Sequence, residues 1–334
     1  MTNRERVIAS LEHRQPDKTP YCVHFTIPAR AKMVEYYADP DFESKLGNCF
    51  AMLSCHPRKA WQEVGPNRVQ DHFGVVWDRS VDKDIGIVAN RAVTPENVES
   101  FAFPDPDNPS IWESFESAME AEDDSFVIAQ LGFSLFERAW ALAGMETVLA
   151  AMMEDPPFVN RLLDRILDYN LQIIERARAY DIDGMMFGDD WGSQRGLIMG
   201  QGLWREYILP RVRQMYAAVK RRGKQVFIHC CGNVGELFPD LIDAGVDAFN
   251  PFQPEVMDVY EVKAQYGDRL SFYGGISTQR TLPYATPQET RKEVEKLLNV
   301  VGRSGGYFAA PAHAIPGDAR PDKIAAMIEV LQAQ

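Results

Sequence analysis

Cysteine is scarce in this chain of 334 residues: there are five, Cys22, Cys49, Cys55, Cys230 and Cys231. So sparse and odd a set is unlike a disulfide framework, and neighbours such as Cys230 and Cys231 rarely bridge without strain. Reduced thiols and a cytoplasmic location are the expectation. Positive charge is also short, with 35 Lys and Arg against 48 Asp and Glu and a net charge of −13. A chain this acidic is poorly suited to nucleic acid or an anionic membrane as a partner. No apolar run approaches the ~20 residues that span a bilayer. Met1 to Arg6 has no apolar core of the kind a secretory signal needs. Low-complexity linkers and short-period repeats are missing, and no Gly-x-Gly-x-x-Gly follows a strand, which weakens a dinucleotide-binding reading. What remains, 46% hydrophobic and 25% charged, is an ordinary globular composition.

Thr2 and Glu5 have capping-box spacing for a helix to Leu11, with Val7, Ile8 and Leu11 on one face. Pro16 and Pro20 bracket a turn before the apolar run Tyr21–Phe25. The next hundred residues are irregular, with one small hairpin expected from Val69–Trp77 and Gly86–Ala89. From residue 126 strands and helices alternate. Strands are expected at 126–129, 185–187, 226–228, 248–249, 270–273 and 307–310. Helices are expected at 133–153, from an Asp155 cap with Pro156 following, and at 203–222, 235–244, 256–266, 286–301 and from Pro321. Short apolar strands separated by helices imply a parallel sheet sheathed by helices. With about eight strands the fold class is α/β, a (β/α)8 TIM barrel. It is expected as a single domain over 1–334, with residues 1–125 including an N-terminal helical and hairpin extension.

In such a barrel the chemistry gathers at the carboxyl ends of the strands. The residues just past the strands are rich in Gly, acid, His, Cys and amide. They read Gly188-Asp189-Asp190-Trp191-Gly192-Ser193-Gln194, His229-Cys230-Cys231-Gly232-Asn233, Asn250-Pro251-Phe252-Gln253, Gly274-Gly275-Ile276 and Pro311-Ala312-His313. Residues two apart on a strand share a face, so His229 and Cys231 point together while Cys230 points away. With His313 they make three N/S donors, and three protein ligands with an open fourth position is the catalytic zinc pattern. The alternative is a hydrogen-bonding His229 with Cys231 as a small buried hydrophobe. Asp189 and Asp190 can cap a helix, act as general base and orienter, or join a cation site. Gln194 belongs to a polar run able to bind a ligand. His24, Asn250 and Tyr273 are further substrate-binding candidates, and His72 is read as a satisfied structural residue.

The segments Phe136-Glu137-Arg138-Ala139 with Gly144, Gly188–Gln194, His229–Asn233, Phe272–Ile276 and Gly305–His313 together resemble the uroporphyrinogen decarboxylase superfamily. Within it they resemble the corrinoid-dependent methyltransferase branch. The resemblance implies the same barrel with an N-terminal extension. True decarboxylases carry an Arg-Gln-Ala-Gly-Arg loop that helps hold the tetrapyrrole carboxylates. Here that region reads Val23-His24-Phe25-Thr26-Ile27-Pro28, so a porphyrinogen is disfavoured. The branch implies zinc held by His-x-Cys and a later Cys. His229 and Cys231 match the first two positions, whereas His313 stands at or next to the third. The resemblance further implies methyl transfer between a small methylated substrate and a corrinoid (cobalamin) on a partner protein. Methyl ethers, and hence O-demethylation, are favoured, with Asp190 and Gln194 orienting the substrate and Asp189 supporting the site or handling a proton. Two rivals stay open: a lyase decarboxylating a small carboxylate, and a non-catalytic corrinoid-binding protein. A homodimer is compatible with the sequence, which does not specify it.

Overall fold

The computed structural model describes residues 1–57, 60–81, 83, 85–120 and 124–334. Seven parallel strands form one curved sheet: β1 Phe50–Ser54, β2 Phe126–Leu131, β3 Gly184–Gly188, β4 Gln225–His229, β5 Ala248–Phe252, β6 Ser271–Ile276 and β7 Tyr307–Pro311. Each pairs with the next in chain order. The eighth stave is the segment around Tyr21. Cys22 N–H donates to the Ala309 carbonyl at 3.0 Å and Ala309 N–H to the Pro20 carbonyl at 2.9 Å, while Cys49 N–H donates to the Tyr21 carbonyl at 3.0 Å. Those bonds tie the segment to β7 on one side and to the start of β1 on the other, so the barrel closes. The expected (β/α)8 architecture is the one found.

Strand β1 was not anticipated, and the physical reason is visible. No helix follows it directly: the chain from residue 55 to β2 instead builds a four-stranded antiparallel sheet (Gln62–Gly65, Arg68–Gln70, Val76–Asp78, Ile87–Val88) and then the helix Pro109–Glu120. The single hairpin expected there is therefore part of a larger meander. Elsewhere local signals hold. Thr2 and Thr286 form capping boxes with Glu5 and Glu289, and Asp155 caps the helix Pro156–Ala177. The helix expected over 133–153 is two, Phe136–Ala143 and Met145–Glu154, divided at Gly144, whose φ of +91° is accessible to glycine.

The barrel interior is aromatic. The Phe50 ring lies 5.2–6.0 Å from those of Phe126, Phe227, Tyr273 and Phe308. Helix Asn3–Leu11 caps the end away from the strands' carboxyl termini, where Val7 enters this cluster and Ser10 Oγ donates to the Tyr307 carbonyl at 3.0 Å. With that end packed shut, the carboxyl ends of the strands are left to form a site.

Candidate metal centre and active-site cavity

A cavity of about 450 Å³ opens at those carboxyl ends. His229 is the last residue of β4, Cys231 follows two residues on, and His313 lies just past β7. One donor atom from each lies within 4.8 Å of the others. Cys231 Sγ is 3.5 Å from His229 Nε2. The neighbouring Cys230 is fully buried, and its sulfur accepts the Trp191 N–H at 3.2 Å.

The surroundings prepare these donors. Asn250 Nδ2 donates to the Tyr273 carbonyl at 2.9 Å, which turns its Oδ1 toward His229 Nδ1 at 2.5 Å. That assignment places the His229 proton on Nδ1 and leaves the Nε2 lone pair facing Cys231 and His313. Burial and the nearby His229 lower the affinity of His313 for a proton, which favours the neutral, ligating imidazole. Burial, then the Asp190 and Glu137 carboxylates, push the Cys231 thiol up, so binding a cation there would release a proton. The Cys231 N–H donates to Asp190 Oδ1 at 2.7 Å, fixing the loop after β4. Two imidazoles and a thiol at this spacing suit zinc, with the cavity on the open side.

The paired acids divide their work. Asp189 is fully buried behind the cavity, and its carboxylate accepts N–H groups from Leu135, Phe136 and Glu137 at 2.8–3.2 Å and Trp191 Nε1 at 2.6 Å. From the end of the neighbouring strand it caps the helix that follows β2. Burial raises its pKa to about 6, against the pull of those donors. Asp190 lines the cavity, as do His24, Asn250 and Tyr273. His24 Nε2 is 3.2 Å from Cys22 Sγ, and burial pushes that thiol up to about 12. Gln194 is elsewhere: it is exposed on the turn of the hairpin Gly192–Leu197 and does not border the cavity. The chain reverses two residues after Trp191, which carries that polar run away from the site.

Glu137 lines the same cavity and was not anticipated as a site residue. Burial, reinforced by Asp190 and Asp189, pushes its carboxyl well above the usual range, so it gives up its proton less readily than a free carboxyl. It is the first acid after β2, and reading past that strand as past the others would have found it.

Residues 75–334 match the family model described as uroporphyrinogen decarboxylase (URO-D). The chain belongs to the uroporphyrinogen decarboxylase family. Among curated relatives, the uroporphyrinogen decarboxylase of Methylococcus capsulatus is 27% identical over 184 residues, 55% of this chain and 51% of that protein. That of Chromohalobacter salexigens is 28% identical over 191 residues, 54% of this chain and 50% of the relative. The chain thus spans about half the length of the curated relatives it matches. A solved methyltransferase from Methanosarcina mazei shares the fold, with a TM-score of 0.75 over 100% of this chain and 99% of that one, at 16% identity. Among the described residues of this family member, no helix is long and apolar enough to cross a membrane.

Proposed function

We propose that this family member is a zinc-dependent methyltransferase that moves a methyl group between a small methylated substrate, a methyl ether by preference, and a corrinoid carried by a partner protein. The observation that carries this reading is the convergence of His229, Cys231 and His313 within 4.8 Å at the mouth of the barrel. Zinc held by these three would supply Lewis acidity to the heteroatom that bears the methyl group. Asn250 orients the His229 ring, and Asp190 holds the Cys231 backbone in place. When protonated, the state burial favours, Glu137 offers its carboxyl O–H as a hydrogen-bond donor, or as a proton source for a departing alkoxide. Exposed Ile85 borders the cavity and exposed Ile87 follows it, giving an apolar lip on which a corrinoid-bearing partner can seat.

The second reading, a decarboxylating lyase, is favoured by the printed names of the curated relatives. The missing Arg-rich loop and the net charge of −13 are unsuited to a porphyrinogen bearing many carboxylates, so that reading takes a small carboxylate as its substrate. Metal analysis of protein purified without an affinity tag separates the two. Roughly one zinc per chain, lost in His229→Ala, supports the methyltransferase, whereas less than about a tenth of an equivalent would overturn the zinc site. Methylation of cob(I)alamin from methyl ethers, amines and thiols then tests transfer. Failure with every donor class, or decarboxylation without metal, returns the lyase reading.

A further inference from the structure

A histidine outside the metal donor set lines another part of the main cavity. His24 lies at the carboxyl end of the stave around Tyr21, and its carbonyl accepts the Ile315 N–H at 2.8 Å. It therefore stands one stave away from His313, which lies just past β7. Protein surrounds the residue, which stays exposed where it borders the cavity. His24 Nε2 is 3.2 Å from Cys22 Sγ, whereas Nδ1 has no partner among the described residues. Cys22 itself is fully buried, so its sulfur does not meet a ligand. Burial, pushing the thiol up to about 12, keeps its proton in place. The other groups at the sulfur, the Phe50 and Val23 amides and the Tyr273 hydroxyl, favour the thiolate, as hydrogen-bond donors do.

A thiol has one proton to give, and the acceptor facing it is His24 Nε2. Burial also lowers the affinity of His24 for a proton, against the pull of Glu43. The ring is therefore neutral near pH 7, and its own proton sits on Nδ1. We propose that Cys22 is a positioning residue that fixes His24 as an N–H donor to a ligand in the cavity. His229 and His24 are then used in opposite senses. In His229, Asn250 takes the Nδ1 proton and leaves a lone pair free for a cation. In His24, Cys22 takes the lone pair and leaves Nδ1–H free for an acceptor. An oxygen bearing lone pairs is matched there, and an ammonium group, which has none, is not. Placing that ligand in an active site rests on the reading given above; the tautomer of the ring does not.

Nitrogen NMR of the full chain, isotope-labelled in the imidazoles of its six histidines, reads the tautomer directly. His24→Gln assigns the signals by removing them. In the wild type at about pH 7.5, His24 Nδ1 is expected to be protonated and Nε2 bare. Cys22→Ala should release the ring toward the Nε2–H form that free histidine prefers. Cys22→Ser, which keeps a donor, should hold Nδ1–H, a pattern that a mere packing role for Cys22 does not produce. Nε2 protonated in the wild type, or a tautomer unchanged in Cys22→Ala, would overturn the assignment. Should Cys22→Ala fail to fold, Cys22→Val is read in its place. Methyl transfer tests what the donor does for a ligand. His24→Leu is expected to lower kcat/KM about tenfold, and His24→Gln, which keeps an N–H, to recover most of it. Equal values in the wild type and His24→Leu would overturn the donor role. The spectrum needs no methyl group to move, so its failure is separate from a failure of the function proposed above.

Discussion

Two walls face each other across the mouth of this barrel. On the wall made by β4 to β7, the polar atoms around the donors are partnered: His229 Nδ1 by Asn250, Asn250 Nδ2 by the Tyr273 carbonyl, the Cys231 amide by Asp190. On the wall made by β1, β2 and the small antiparallel sheet, His56 and His72 keep three ring nitrogens without partners. The first wall is finished by its own chain and presents a lone pair, a thiol and an imidazole outward. The second leaves those polar atoms buried and unpaired. Asp189, just past β3 and so between the two walls, caps the helix that leaves the second.

The comparison can be broken hardest at the sulfur. Cys231→Ala should remove the metal and lower methyl transfer by about 10³-fold or more, roughly 4 kcal/mol of transition-state stabilisation. Zinc content and single-turnover rates check this, with the melting temperature little changed. Asp189→Ala should act on folding instead. It strands three backbone N–H groups and the Trp191 N–H in a buried place, and about 3 kcal/mol of stability should disappear in urea unfolding. Losing less than about 1 kcal/mol would mean the two walls stand independently.

Asn250→Ala leaves the three donors in place but frees the His229 ring, so zinc affinity should drop about 10- to 100-fold in competition with a chelator. On the opposite wall the probe is pH. The His56 pKa is about 4 when folded, below its ordinary 6.5, so the unfolded chain binds more protons between those values. The stability involved is complete above about 6.5 and is lost as pH falls toward about 4; between pH 7 and 5 the loss is about 2 kcal/mol. Asp189, raised to about 6, runs the other way. The measurement is therefore the difference between the wild type and His56→Gln, whose stability should fall less over that interval. Gln194→Ala, on its exposed turn, should change neither kinetics nor stability beyond about 0.5 kcal/mol.

The same division separates what could be read from the residues alone from what could not. From β2 onward, short apolar strands alternate with helices, and the residues past each strand display their chemistry in order. His229, Cys231 and His313 are legible there because strand alternation and the barrel's polarity act locally. Strand β1 was hidden because its chain departs into the antiparallel sheet rather than into a helix. His72 read as a satisfied structural residue, yet neither of its ring nitrogens has a partner. No local pattern reveals that, because groups beside it, His56 and Arg138, come from other parts of the chain. Gln194 failed for the opposite reason: proximity in sequence to Asp190 suggested proximity in space, and a tight hairpin intervened.

The closing stave has a consequence for the birth of the molecule. Ser10 reaches the Tyr307 carbonyl 297 residues further along, and Pro20 and Cys22 bond to Ala309. During synthesis the seam between the first stave and the last therefore stays open until residue 309 has left the ribosome. Until then the outer edge of the Tyr21 stave is an unpaired template, the state in which a parallel barrel is most exposed to wrong partners.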